Sequence, residues 1–185
     1  MTLPNILTLS RIVLIPVFVL AFYIPSESHR IIATGVFFFA GFTDWLDGYL
    51  ARKMNQSTKF GAFLDPVADK LMVAVALTMI VEDFNSMWIT IPSIIIIGRE
   101  IVISALREWM AEMGKRASVA VSYIGKVKTG AQMWAILLML YSPMGETIAN
   151  VGVALLYLAS ALTLWSMFIY LKAAWPDLTA EMNNK

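Results

Sequence analysis

Four aspartates lie in a short segment of an otherwise apolar sequence. The residues of this aspartate quartet are Asp44, Asp47, Asp65 and Asp69. An ionised carboxylate is costly to place in an apolar environment, so such residues usually face a cation, a water-filled cavity or another polar partner. Hydrophobic residues make up 59% of this chain, and its mean hydropathy is +0.71. The aspartate quartet is therefore the first candidate for a functional site.

The spacing of the aspartates places each pair on one helix face. Asp44 and Asp47 are three positions apart, and Asp65 and Asp69 are four apart, which brings their side chains to the same side of a helix. Clustered carboxylates repel one another unless they bind cations or become protonated. Ligand sets made only of oxygen favour hard divalent ions such as Mg²⁺, Mn²⁺ or Ca²⁺. Two such ions sharing carboxylates form an arrangement that serves phosphoryl transfer.

Composition excludes several other kinds of site. The chain has no cysteine and one histidine, His29, which excludes disulfides and thiolate metal sites and argues against a zinc centre of the usual kind. Only 15% of the residues are charged, a value typical of integral membrane proteins. A secretory signal peptide is not predicted, because Arg11 precedes the first apolar run and no small-residue cleavage site follows it.

The elements that must position these carboxylates are membrane-spanning helices. Apolar runs of about 20 residues, the length that crosses the hydrocarbon core, predict an all-α integral membrane protein with a six-transmembrane-helix bundle. The predicted spans are residues 8–25, 31–51, 62–82, 87–106, 127–142 and 147–172. An interfacial N-terminal segment is expected at about residues 1–10. The whole chain, residues 1–185, is expected to form a single catalytic domain.

Lysine and arginine predict the orientation of the bundle. Of fourteen such residues, only Arg30 would lie on the side opposite the two termini. The positive-inside rule then places both termini and the two basic loops in the cytoplasm.

This topology puts the aspartate quartet at one depth. At a rise of 1.5 Å per residue, Asp44 and Asp47 lie roughly 12 and 8 Å above the cytoplasmic end of the second helix. Asp65 and Asp69 lie roughly 6 and 12 Å above the start of the third helix. We expect these two helices, joined by a short loop, to pack side by side and to direct their carboxylates into one cavity that opens to the cytoplasm.

Small residues flank the quartet. Gly48, Ala51 and Gly61 have two interpretations: they permit close helix packing, or they leave room for a flat ligand against the backbone. Arg52 follows one turn after Gly48, where a guanidinium can bind a phosphate through two hydrogen bonds.

Together these residues form the pattern D-x2-D-G-x2-A-R-x8-G-x3-D-x3-D, which is similar to the signature of the CDP-alcohol phosphotransferase family. Every fixed position of that signature matches: Asp44, Asp47, Gly48, Ala51, Arg52, Gly61, Asp65 and Asp69. More narrowly, four flanking segments resemble the bacterial phosphatidylglycerophosphate synthases of that family. These segments are Pro4–Arg11, Gly98–Glu100, Arg107–Glu108 and Gly125–Thr129.

The resemblance implies a reaction and its cofactors. A phosphatidyl group would pass from CDP-diacylglycerol to sn-glycerol 3-phosphate, with release of CMP, at the cytoplasmic face of the bacterial inner membrane. The aspartate quartet would hold two divalent cations, Mg²⁺ or Mn²⁺. Asp69 would be the general base, with Asp65 as a second catalytic carboxylate. The resemblance also suggests a homodimer.

The resemblance further implies two binding sites. Residues expected at the CDP-lipid site are Gly48, Ala51, Arg52, Gly61, Asn5 and Thr8. Residues expected to bind the acceptor phosphate are a basic quartet, namely Arg99, Arg107, Lys126 and Lys128, together with Lys70. Other interpretations stay open: Asn5 and Thr8 are also suited to helix capping, Lys70 to pairing with a carboxylate, and Lys126 and Lys128 to membrane anchoring.

Arg99 lies within a predicted span and therefore needs a partner. Its sequence neighbour Glu100 points about 100° away around a helix, so a pair between the two is not expected.

Two alternative functions compete with this interpretation. Another acceptor, such as serine, inositol phosphate or phosphatidylglycerol, would suit the same core motif, although the basic quartet favours an anionic acceptor over serine. A cation transporter is the alternative from another class, since intramembrane carboxylates are common in ion pathways. The spans above Asp44 and Asp69 are almost purely apolar, and no inverted repeat is visible. Both features argue against transport.

Overall fold

The computed structural model of the chain describes residues 3–54, 59–112 and 123–182. Within these ranges, the regular secondary structure consists of α-helices, joined by turns and bends. The helices are α1 (Leu3–Tyr23), α2 (His29–Met54), α3 (Lys59–Phe84), α4 (Met87–Glu112), α5 (Tyr123–Tyr141) and α6 (Thr147–Met182). Each predicted span corresponds to one of these helices. The ends differ by a few residues in most cases, and α6 continues ten residues beyond its predicted span.

Three of the described helices are long and apolar enough to cross a membrane. These stretches are Ile6–Tyr23, Met87–Glu112 and Thr147–Pro176, with hydropathies of 2.2, 1.9 and 1.8. Many large apolar side chains are exposed, including Phe38, Phe39 and Phe42 on α2. An exposed apolar surface of this extent is suited to lipid rather than to water. The chain is therefore a membrane protein.

Charged residues explain why α3 is not among these three membrane-type helices. Its apolar sequence is interrupted by Asp65, Asp69 and Lys70, so every stretch of 18 residues within it contains at least three charged residues.

The N-terminal residues are part of a membrane-type helix. The segment predicted to lie at the interface, about residues 1–10, is described from Leu3 onward and continues into the first span as one helix. Thr8 and Arg11 on this helix are each only 1% exposed. The position of residues 3–10 at a membrane interface stays a prediction.

Short polar turns end the helices. Between α1 and α2, the backbone carbonyl of Ser26 accepts a hydrogen bond from the His29 amide at 3.1 Å. Between α3 and α4, Asn85 has a φ of 42°, a left-handed conformation that asparagine tolerates better than most residues. Before α6, Gly145 has a φ of 96°, which only glycine adopts without strain.

The chain divides into two compact units, and each is described by itself. Unit 1 consists of Met1–Asn85 and Ile136–Gly152, and unit 2 consists of Ser86–Ala135 and Val153–Lys185. Unit 1 therefore contains the aspartate quartet, whereas unit 2 contains the basic quartet.

The core of unit 1 forms where α1 meets α2 and α3. Phe18 of α1 is fully buried, and its ring centroid lies 6.1 Å from that of Phe37 on α2. Ala76 and Leu77 of α3 are also fully buried. These buried side chains place the apolar core of the unit on the faces of the three helices that are turned toward one another.

One end of unit 1 carries an ion pair between α2 and α3. Arg30, at the start of α2, donates two hydrogen bonds to Asp83, near the end of α3, at 2.6 and 2.9 Å. Tyr23, the last residue of α1, donates to Glu82. These contacts hold the ends of the three helices together at the opposite end of α2 and α3 from the aspartate quartet.

The core of unit 2 includes one face of α4. Ile89, Ile96, Ile103 and Met110 are buried at intervals of seven residues, a spacing that returns to the same helix face after two turns. The hydroxyl of Tyr157 on α6 donates to the Trp88 carbonyl at 2.8 Å, which links α6 to the start of α4.

Candidate active site

The side chain of Arg11 lies at the centre of the aspartate cluster. Its Nη1 donates to Asp44 at 2.8 Å and also to Asp69, and its Nη2 donates to Asp47. Asp44 and Asp47 belong to α2, and Asp69 belongs to α3. The structure therefore brings carboxylates from both helices together around the guanidinium of a third helix.

Exposure differs across this cluster. The side chains of Arg11 and Asp47 are 1% and 4% exposed, whereas those of Asp44 and Asp69 are 43% and 44% exposed. Asp47 thus lies on the closed side of the cluster, and Asp44 and Asp69 lie on the open side. A ligand would reach the carboxylates from the side of Asp44 and Asp69.

Helix α1 joins the two acidic helices. It packs extensively against both α2 and α3, whereas α2 and α3 contact each other at only a few positions. In the described residues, α1 therefore provides most of the packing that brings the two acidic helices together. Carboxylates directed from two helices to one place repel each other, and a helix that brings a positive charge to that place reduces the repulsion.

Asp65 is held by a different residue of α1. The hydroxyl of Thr8 donates to Asp65 Oδ1, and Thr8 is 1% exposed. Thr8 and Arg11 are three positions apart on α1 and share one face, so that face contacts the whole aspartate quartet. Thr8 is not a helix cap, since α1 begins at Leu3.

The donor chemistry of the quartet fits a divalent cation. Its ligating atoms are carboxylate oxygens, which hard divalent ions prefer, and three of the four carboxylates already converge on one positive charge. In the part of the chain that the structure describes, no three His, Cys, Asp or Glu side chains are grouped for direct metal coordination. Three of the four carboxylates are instead bonded to the guanidinium of Arg11.

The other candidates near the quartet lie on the same helices. Gly48 of α2 directly follows Asp47 and is half-buried, and Gly61 near the start of α3 is buried. Lys70 follows Asp69 and is half-buried. The remaining candidates have side chains outside the described part of the structure, namely Asn5, Ala51, Arg52 and Lys126.

Unit 2 contains a second charged cluster, centred on Glu100. The Oε1 of Glu100 accepts hydrogen bonds from Arg99 Nη1 and from Lys128 Nζ, each at 2.8 Å. Arg99 Nη2 also donates to Ser166 Oγ on α6 at 3.2 Å, while its buried Nε has no hydrogen-bond partner in the described part of the chain. Helices α4, α5 and α6 of this unit therefore each contribute a polar group to one place.

The expectation that Arg99 and Glu100 do not pair is wrong. The angular argument concerns the directions of the Cβ atoms, but both side chains are long enough to bend toward each other. Lys128, which is 7% exposed, adds a second positive charge on the same Glu100 oxygen and makes this conformation of Glu100 favourable.

Arg107 lies two turns beyond Arg99 on α4 and contacts Tyr170 of α6. Its Nη2 donates to the tyrosine hydroxyl at 2.6 Å, and its guanidinium carbon lies 4.9 Å from the ring centroid. Arg107 is exposed. Stacking and hydrogen bonding together hold an exposed guanidinium in one orientation.

Comparison with known proteins gives the family. Residues 1–165 match the family model described as CDP-alcohol phosphatidyltransferase. The chain belongs to this family.

Curated relatives within the family match almost the whole chain. One from Pectobacterium atrosepticum is 58% identical over 176 residues, which cover 95% of this chain and 96% of the relative. Relatives from Sodalis glossinidius and Yersinia enterocolitica are 57% and 56% identical over 178 residues, covering 96% of this chain and 97% of each relative. All three are named CDP-diacylglycerol–glycerol-3-phosphate 3-phosphatidyltransferase.

Sequence reasoning missed four residues that this CDP-alcohol phosphatidyltransferase places in its charged clusters. They are Arg11, Glu100, Ser166 and Tyr170. The sequence could have indicated Arg11, because an arginine inside an apolar helix needs a buried partner. The sequence did not indicate Ser166 or Tyr170, since a hydroxyl in a membrane helix often bonds only to its own backbone.

Proposed function

We propose that this protein transfers the phosphatidyl group of CDP-diacylglycerol to sn-glycerol 3-phosphate, giving phosphatidylglycerophosphate and CMP. The observation that carries the proposal is the 58% identity, over nearly the whole of both chains, to a relative named for this reaction. The aspartate cluster supports it, because carboxylates that converge on a cation suit a reaction between phosphates.

In the proposed reaction, the 1-hydroxyl of glycerol 3-phosphate attacks the phosphorus that carries the diacylglycerol. Asp69 accepts the hydroxyl proton, the new oxygen–phosphorus bond forms, and the bond from this phosphorus to the CMP oxygen breaks. CMP then leaves with the electron pair of that bond. The exposure of Asp69, at 44% of its side chain, supports this role because a general base must reach its substrate.

The aspartate quartet would hold two divalent cations, Mg²⁺ or Mn²⁺, whose charge stabilises the transferred and leaving phosphates when they are bound. Asp47, on the closed side, is suited to a fixed ligand. Thr8 orients Asp65 by donating a hydrogen bond to it. In this assignment Thr8 acts through Asp65 rather than by direct contact with the CDP-lipid. Gly48, Ala51, Gly61, Arg52 and Asn5 remain the proposed CDP-lipid contacts.

The basic quartet is proposed to bind the phosphate of the acceptor, with Lys70 as a further contact. Arg99 and Lys128 support this role because both hold the same carboxylate oxygen of Glu100. Two cations that share one anionic oxygen are spaced to bind a phosphate oxygen as well. Arg107 supports it because its orientation is held by Tyr170 while its side chain stays exposed.

The proposed setting is the inner membrane of a bacterium. All six helices would span that membrane within one catalytic domain, with both termini and the active site at the cytoplasmic face. A lipid substrate and a water-soluble anionic acceptor meet at such a face. A homodimer is proposed as the functional state.

One assay tests this function. Purified full-length protein is incubated with CDP-diacylglycerol and Mg²⁺ or Mn²⁺, and CMP release is measured with glycerol 3-phosphate, inositol phosphate, serine, phosphatidylglycerol or no acceptor. We expect CMP release that depends on both the metal and glycerol 3-phosphate. Faster release with another acceptor would reassign the substrate, and no release with any acceptor would contradict the proposed chemistry.

A further inference from the structure

Arg11 is the positive charge of the aspartate cluster in this structure. It is 1% exposed and its guanidinium bonds to carboxylates on two other helices. Its remaining nitrogen, Nε, is buried and has no hydrogen-bond partner within residues 3–54, 59–112 and 123–182. The guanidinium is therefore held by the three carboxylates and by no other polar group in the described residues.

In this cluster, the guanidinium and the carboxylates each need the opposite charge to be stable. A buried guanidinium without its carboxylates would be an uncompensated charge, and the carboxylates without a cation would repel one another. The Thr8 bond to Asp65 cannot replace Arg11, because a neutral hydroxyl does not offset negative charge. Arg11 thus keeps α2 and α3 joined through α1 when no other cation is present.

A divalent cation on the same oxygens would be repelled by the guanidinium, since like charges at such short range repel strongly. The bonds to Asp44 and Asp69 lie on the exposed side of the cluster, whereas the bond to Asp47 lies on the buried side. An incoming ion therefore meets Asp44 and Asp69 first.

We propose that Arg11 is a positioning residue that holds the aspartate quartet together before metal binds, and that divalent cations displace its guanidinium from Asp44 and Asp69. This inference rests on the proposed function, because it requires the quartet to bind metal. The cations and the guanidinium of Arg11 then compete for the same carboxylates. The apparent metal affinity of the wild-type protein is then lower than the carboxylates alone would give.

The test measures Mn²⁺ binding to the purified full-length protein, from the electron paramagnetic resonance signal of free Mn²⁺. In Arg11→Gln we expect the dissociation constant of Mn²⁺ to fall at least about tenfold, because one competing charge is removed. In Arg11→Lys we expect a smaller fall, because an ammonium keeps the charge but lacks the planar fork that bridges several carboxylates. Mn²⁺ should therefore bind most tightly to Arg11→Gln, less tightly to Arg11→Lys and least tightly to the wild-type protein.

The matched control is Arg30→Gln, which removes the arginine that pairs with Asp83 at the other end of the same helices. This control should leave the Mn²⁺ dissociation constant at its wild-type value. Its loss of melting temperature should be equal in EDTA and in saturating Mn²⁺. Arg11→Gln should instead lose melting temperature in EDTA and regain most of it in Mn²⁺, because the ion replaces the missing charge.

The outcomes separate two failures. Mn²⁺ binding that is unchanged or weaker in both Arg11 variants would overturn the displacement proposal and leave the proposed function intact. If the wild-type protein binds no Mn²⁺, or if binding is unaffected by Asp47→Asn, the metal site of the proposed function fails as well. Should the Gln variant not fold, the Lys variant still decides, since its affinity must exceed that of the wild type.

Discussion

Arg11 of α1 and Asp47 of α2 form an ion pair in which both side chains are almost completely buried, at 1% and 4% exposed. The other two carboxylates bound to Arg11, Asp44 and Asp69, are each more than 40% exposed. One guanidinium therefore has a buried partner, which favours a role in stability, and two exposed partners, which favour a role in ligand binding.

The buried pair predicts unequal effects of two similar substitutions on stability. Asp47→Asn should lower the free energy of unfolding by about 2–3 kcal/mol, since it removes a buried charged partner of Arg11. Asp44→Asn should lower it by about 1 kcal/mol or less, because an exposed pair is weakened by solvent. Melting curves of both variants in detergent and EDTA measure the difference. Equal losses would mean that burial of the Arg11–Asp47 pair does not contribute to stability.

Asp69→Asn should reduce turnover by at least about 100-fold, because it removes the proposed general base. The matched control is Asp83→Asn, another aspartate on α3, which pairs with Arg30 at the opposite end of the helix. Its turnover should stay within about threefold of the wild-type value, since Asp83 lies at the far end of α3 from the aspartate quartet and binds no proposed ligand. CMP release under saturating substrates measures both variants. Activity near that of the wild type in Asp69→Asn would contradict the assignment of Asp69.

The Thr8 hydroxyl is predicted to act through Asp65. Thr8→Val keeps the shape of the side chain but removes the donor, and it should lower kcat about fivefold to tenfold, the loss expected for one hydrogen bond. Thr8→Ser keeps the donor and should stay near the wild-type kcat. The Michaelis constants for CDP-diacylglycerol should be similar in both variants. A large rise in that constant with unchanged kcat would instead indicate direct contact between Thr8 and the lipid substrate.

Loss of Arg99 or Arg107 should weaken binding of the acceptor. In Arg99→Ala or Arg107→Ala, the Michaelis constant for glycerol 3-phosphate should rise about 10-fold to 100-fold, as expected for a lost charged hydrogen bond. The Michaelis constant for CDP-diacylglycerol should change much less. Lys172→Ala is the control, because Lys172 is an exposed cation on α6 outside the basic quartet. A defect confined to CDP-diacylglycerol would reassign both arginines to the lipid site.

Tyr170 should affect acceptor binding through Arg107. Tyr170→Phe removes the hydroxyl that binds Arg107 but keeps the ring beneath the guanidinium. It should raise the Michaelis constant for glycerol 3-phosphate about threefold, and Tyr170→Ala should raise it further because stacking is also lost. In an Arg107→Ala background, neither substitution should have an additional effect. An additive effect in the double variant would show that Tyr170 does not act through Arg107.

Local patterns in the sequence predicted the helices and the type of chemistry. The length of each apolar run predicts a helix at nearly the right place, because a membrane helix satisfies its own backbone hydrogen bonds and needs no distant partner. The i,i+3 and i,i+4 spacings placed each aspartate pair on one face for the same local reason. Oxygen-only ligands and the absence of cysteine then pointed to hard cations.

The partners of those charges depended on tertiary packing. Arg11 is separated from Asp44, Asp47 and Asp69 by 33, 36 and 58 positions, and no local rule selects α1 as the common neighbour of α2 and α3. The pairing of Glu100 with Lys128 likewise depends on where α5 packs, 28 positions away. The sequence by itself determined which residues could bind cations and phosphates. Only the tertiary structure decided which charges neutralise one another, because the pairing of buried charges depends on distances between helices.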